Sequence, residues 1–128
     1  MPQTQSVFDS LPKEDRFHLF RGHEPNYEKV VKILDFSKKD IAKASKVPES
    51  SVRYDEKMPK ELEERMLEWA FAIHLVTHHF GDVDKSMLWF RAPNPLLGGI
   101  PPRDMIRIGR FKKLLRFIHT AIEENRKP

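Results

Sequence analysis

The residue types that do chemistry are few in this chain, and their spacing does not favour catalysis. His74 and His78 stand four apart with His79 adjacent, a spacing that puts two imidazoles on one side of a helix where they can hold a metal. A metalloprotease helix needs glutamate directly after the first histidine, and Leu75 is there instead, with no third ligand at helical spacing. Partly buried or interface histidines are the expectation, and no metal. A hydroxyl nucleophile needs a base and an orienting acid in one cleft, whereas the serines here fall at helix caps, in the N-terminal tail and in the Ser50-Ser51 stretch. Gly98-Gly99 lacks the Lys and Ser/Thr of a phosphate loop. Zero cysteines exclude thiolate chemistry and disulfides. The chain reads as a binding protein without cofactor and not as an enzyme.

What could bind is concentrated in residues 86–108. Trp89, Phe90, Leu96, Leu97, Ile100, Met105, Ile106 and Ile108 lie beside four prolines and the Gly98-Gly99 pair. Proline fixes φ and glycine permits positive φ, so residues 93–102 read as a shaped non-helical connection between two helices. Asn94 before Pro95 can satisfy the local peptide groups. Such a corner either closes a helical bundle or grips a partner. Beside it the charge is uneven: residues 1–64 hold 12 Lys and Arg against 13 Asp and Glu, and residues 65–128 hold 11 against 6. Arg103, Arg107, Arg110, Lys112, Lys113 and Arg116 face only Asp104, a pattern that suits a polyanion, an acidic protein surface or a solvated helix face.

The elements that must position these groups are helices. Residues 1–11 are mixed and polar, a disordered lead-in too polar for a secretory leader, and a short helix is expected over residues 12–20, stopped by Gly22. Asn26 caps a helix over Tyr27–Leu34, with Tyr27, Val30, Val31 and Leu34 on one stripe. Ser37 with Asp40 three residues on makes an acidic capping box for a helix from Lys38. Val47-Pro48 forces a turn before a third short helix around residues 49–54. Pro59 opens the longest helix, Lys60–Phe80, which Gly81 ends. Its stripe Leu62, Met66, Trp69, Ile73, Val76 and Phe80 is joined by a second apolar side, Leu67, Phe71 and Leu75. A helix oily all round is buried centrally or shared with another chain, and a homodimer interface over residues 59–81 is the expectation. Asp82 caps a helix over residues 83–90, a brief helix is expected at 103–108, and the last, 110–124, buries Phe111, Leu114, Leu115, Ile118 and Ile122 before a polar free end at 123–128. No apolar run reaches membrane-span length, and the chain reads as a single cytosolic domain.

The order W-F-x-x-x-N-P-L-L-G-G-x-P-P-R-D-M, followed by a basic and apolar helix, resembles the toxin-binding domain of the Xre/MbcA/ParS family of antitoxins. Trp89, Asn94, Leu97, Gly98 and Pro101 carry the likeness. Residues 26–58 resemble an Xre-type helix-turn-helix, with Ile41-Ala42 in the first helix, Val47 as the turn plug and Val52 facing inward. Lys46 stands where the turn usually has glycine, so it must take left-handed angles or the turn must open. The resemblance implies an all-α fold in which a helix-turn-helix bundle runs on into a toxin-binding region over residues 82–128. Its expected partner is a NAD-consuming toxin, either a RES-domain NAD-degrading enzyme or an ADP-ribosyltransferase, whose cleft the chain would occlude. The expected docking set is Trp89, Arg91, Asn94, Leu97, Arg103, Arg107, Arg110 and Lys113, with Glu123, Glu124, Asn125 and Arg126 entering or covering the cleft. Operator DNA would be met by Ser50, Ser51, Arg53 and Tyr54 in the major groove and by Lys38, Lys39 and Lys43 at phosphates. The alternative is a helix-turn-helix kept for packing, or a stand-alone dimeric transcription regulator.

Overall fold

The computed structural model describes residues 15 and 17–126. The expected lead-in over residues 1–11 lies outside them. Among the described residues the fold is all-α apart from one small hairpin, β1 (Phe20–Arg21) paired antiparallel with β2 (Glu24–Pro25). Six helices come after it: α1 (Tyr27–Leu34), α2 (Lys38–Ser45), α3 (Lys60–Phe80), α4 (Val83–Arg91), α5 (Pro102–Arg107) and α6 (Phe111–Arg126).

The helix expected over residues 12–20 lies largely outside the described residues; of its expected end, residues 17–19 are not helical and Phe20 opens the hairpin. The Asp15 carboxylate accepts from the Leu19 and Phe20 amides at 2.8 and 2.9 Å, an alternative to helical hydrogen bonding that aspartate offers its neighbours. Gly22, at φ +63°, forms the turn of the hairpin and ends no helix.

The helix starts obey the caps. Asn26 accepts from the Lys29 amide, and Ser37 and Asp40 complete a reciprocal capping box. Lys46 closes α2 at φ 60°, ψ 41°, so the turn keeps its shape and the lysine accepts the left-handed strain. Ser45, buried at the end of α2, donates its hydroxyl to the Ile41 carbonyl at 2.6 Å.

The second helix of the expected helix-turn-helix is a single 3₁₀ turn, Glu49–Ser51. Pro48 gives its start no side-chain cap, and the residues after the turn are bound to other partners. Tyr54 stacks on Tyr27 at 5.2 Å between ring centroids, and Arg53 pairs with Asp55, whose carboxylate also accepts from the Lys57 amide. These contacts draw residues 52–57 out of helical geometry.

α3 is the axis of the fold. Leu62, Met66 and every residue from Trp69 to Thr77 are buried, and α1, α2, α4, α6 and β2 pack around it. Of the second apolar side, Phe71 and Leu75 are 1% and 8% exposed and Leu67 is half-buried, while Phe80 at the helix end is 37% exposed, so a single chain covers most of its oily helix but not all of it. Trp69 meets Phe36 edge to face at 5.7 Å, and burying an aromatic of this size contributes about 3 kcal/mol.

Candidate partner-docking surface

The corner between α4 and α5 is built from its own backbone. Asn94 accepts the Leu96 amide on its side chain and the Leu97 and Gly99 amides on its carbonyl, and it bridges to Ile100. Pro95–Leu97 makes a 3₁₀ turn that ends on Gly98 at φ +72°, with Gly99 at φ +81°. Two successive positive φ values explain the glycine pair: a Cβ at either would meet open space, so backbone conformation and not crowding selects glycine. This tight knot holds Leu96 out at 79% exposure.

Of the apolar groups expected to pack, the corner buries Phe90, Met105 and Ile106 and half-buries Trp89, Leu97 and Ile100. Leu88, Leu96 and Ile108 stay on the surface at 68%, 79% and 49% exposure. Trp89 lies parallel to Phe117 of α6 at 6.4 Å and perpendicular to Phe90 at 5.1 Å, which fixes its ring at the mouth of a cleft. That cleft, about 140 Å³, runs between α3, α4 and α6 and is lined by Val76, Phe80, Trp89, Ile118 and Ile122, with His79 and Asn125 at its polar end.

Three of the expected docking arginines are turned inward. Arg91 donates to the Lys32 and Ile33 carbonyls at 2.6 and 3.2 Å. Arg103 donates to the Leu34 and Asp35 carbonyls at 3.2 and 3.1 Å and pairs with the Asp35 carboxylate. Arg107 bridges Asp40 of the capping box and Asp104, both at 3.2 Å. Partial burial pulls the Asp40 carboxyl up, but hydrogen bonds from Ser37 together with the charge and hydrogen bond of the Arg107 guanidinium outweigh it and hold the group below its ordinary value. These side chains fasten the corner to α1 and α2. Such long-range destinations, 58 to 69 residues away, leave no local sequence signal.

The remaining expected residues separate. Arg110 and Lys113 stand in a groove at the start of α6, while Glu123, Glu124 and Asn125 are exposed at its far end. The end expected to be free is helical through Arg126, and the Asn125 amide lies 3.4 Å from the His79 ring. Lys38, Lys39 and Lys43 are exposed on α2, as are Ser50, Arg53 and Tyr54, with Ser51 half-buried.

The histidines serve packing. His74 is buried edge-on to Phe20 at 5.5 Å and 4.6 Å from the His78 ring, with Asp15 3.8 Å from its Nδ1. His78 in turn meets Phe17 edge-on at 5.7 Å. No group of three or more potential metal-ligating side chains occurs among the described residues. Nor, among them, is any helix long and apolar enough to cross a membrane.

No protein-family model matches the chain, and no curated protein matches it. Among solved structures, it is similar to a chain of the M. tuberculosis MbcT-MbcA toxin-antitoxin complex, with a TM-score of 0.51 at 18% identity. The match covers 80% of this chain and 94% of that one. At this identity the likeness is one of fold.

Proposed function

We propose that this chain is an antitoxin, a non-catalytic binding protein that neutralises a toxin by docking on it. The fold likeness to a chain of a toxin-antitoxin complex, over nearly all of that chain, carries the reading. The surface supports it. A rigid knot that holds Leu96 outward beside Leu88 and a fixed Trp89 presents apolar area on a rigid support, the arrangement that gives protein interfaces their anchors.

The docking surface is assigned to Trp89, Asn94, Leu97 and the exposed Leu88 and Leu96, continued along the cleft to Glu123, Glu124, Asn125 and Arg126 at the end of α6. Because that end is helical, it would meet the toxin as a helix terminus and not as a threaded strand. Arg91, Arg103 and Arg107 support the surface from behind. The NAD-consuming class of toxin, and occlusion of its nucleotide cleft, come from the sequence resemblance alone. Homodimerisation through α3 stays part of the proposal, with the half-buried Leu67 and the exposed Phe80 as the apolar positions one chain leaves uncovered. Repression of an operon through the Lys38, Lys39 and Lys43 face is the remaining part of the proposal.

The test is co-expression with the enzyme encoded beside this chain. Rescue of growth by the wild type, lost with Leu96→Asp, supports the reading; toxicity unaffected by the wild-type chain overturns it.

A further inference from the structure

The C-terminal excess of positive charge divides into two populations. Arg91, Arg103 and Arg107 are consumed by carbonyls and carboxylates inside the fold. Arg110, just before α6, and Lys112, Lys113 and Arg116 on its first turns are exposed, and none forms an ion pair among the described residues. They share a groove of about 670 Å³ with Lys46, the left-handed residue at the end of α2. The groove's acid, Glu68, is already bound by Arg65 at 2.7 Å.

The placement is unfavourable for an isolated protein. A helix start prefers acids, yet the first turn of α6 has none and carries Lys112 and Lys113 instead. Cations gathered at a helix start against that preference, with no ion pair among the described residues, are best relieved by a dense anion laid along the groove.

We propose that this groove binds the phosphate backbone of double-stranded nucleic acid, without reading sequence. Arg110 to Arg116 span about 9 Å of helix, over which a duplex presents on the order of five negative charges. A folded protein's acidic face, with both signs interspersed, does not match that density. The site differs from the one a helix-turn-helix would use: Glu49–Ser51 is one 3₁₀ turn, Arg53 is held by Asp55, and Tyr54 is stacked on Tyr27. It lies toward the opposite end of α6 from Asn125, with Lys112 and Arg116 about 20 and 14 Å from that residue along the helix. The inference does not depend on the antitoxin reading, and its test uses no toxin.

The test is fluorescence anisotropy of the full chain with a labelled mixed-sequence DNA duplex of about 20 base pairs, titrated between about 50 and 200 mM salt. The expected result is binding at the low end with a log–log salt slope of about −4, set by four or five phosphate contacts. Lys112→Glu with Lys113→Glu and Arg116→Glu should weaken it by at least about tenfold, and the same three positions changed to Gln should flatten the slope by about 2 to 3. Melting temperature should hold in both, because these side chains are exposed. Arg53→Glu should leave affinity unchanged. Absence of binding at low salt, loss through Arg53→Glu with the groove variants intact, or equal affinity for poly-glutamate each overturns the proposal, the last in favour of an acidic protein partner.

Discussion

Arg91 and Arg103, from either side of the proline corner, converge on four consecutive carbonyl groups at the end of α1, those of Lys32, Ile33, Leu34 and Asp35. They lie at the end where a helix runs out of internal donors, the Lys32 carbonyl also accepting from the Asp35 amide at 3.2 Å, and cations there complement the helix dipole. One helix terminus thereby fixes both ends of the corner, and the rigidity of the proposed docking surface results from it.

Arg103→Ala removes two of those four hydrogen bonds and the ion pair to Asp35. It should cost about 1–3 kcal/mol of folding free energy, read as a lower urea midpoint at unchanged slope. An arginine serving only a partner would leave the midpoint where it was.

Leu96→Asp should do the reverse. At 79% exposure the leucine holds nothing together, so stability should stay within about 0.5 kcal/mol while affinity for the partner falls at least about tenfold. Calorimetric titration against the partner and a melt of the same sample check both halves.

Asp40 links the capping box to Arg107, and its folded pKa is depressed. A depressed carboxyl contributes stability that is complete above its unfolded value, about 3.9, and is lost as pH falls through the lower folded value. The stability gap between wild type and Asp40→Asn should therefore be widest near pH 6 and close as pH falls below about 4. Urea titrations at several pH values measure it, and a gap independent of pH would contradict the assignment.

Lys46→Gly should stabilise the fold by up to about 1 kcal/mol, because it relieves a left-handed lysine, offset in part by the freer unfolded chain. Thermal melts decide the sign.

Much of this architecture is written locally. Asn26, the Ser37 and Asp40 pair, Pro59 with Gly81, and Asp82 mark helix ends through contacts three or four residues long, and the observed ends agree with them. The knot at Asn94 is likewise local, down to its bond from the Leu96 amide. What local pattern cannot carry is the destination of a long side chain or the escape of a segment to a distant partner. Arg103 looked like a surface cation until its carbonyl partners, 68 and 69 residues away, came into place. The segment after Pro48 looked helical because its departure depends on Tyr54 finding Tyr27. Leu96 reads as core by type, and only the left-handed glycines behind it turn it out to solvent.

The most direct test of the proposed docking is the turnover of the enzyme encoded beside this chain, NAD turnover for the proposed class of toxin, measured as purified protein is added. Turnover should fall to near zero at stoichiometric protein, and an equal amount of correctly folded Leu96→Asp should leave it running. Turnover that is indifferent to any excess of the wild-type chain would contradict the account.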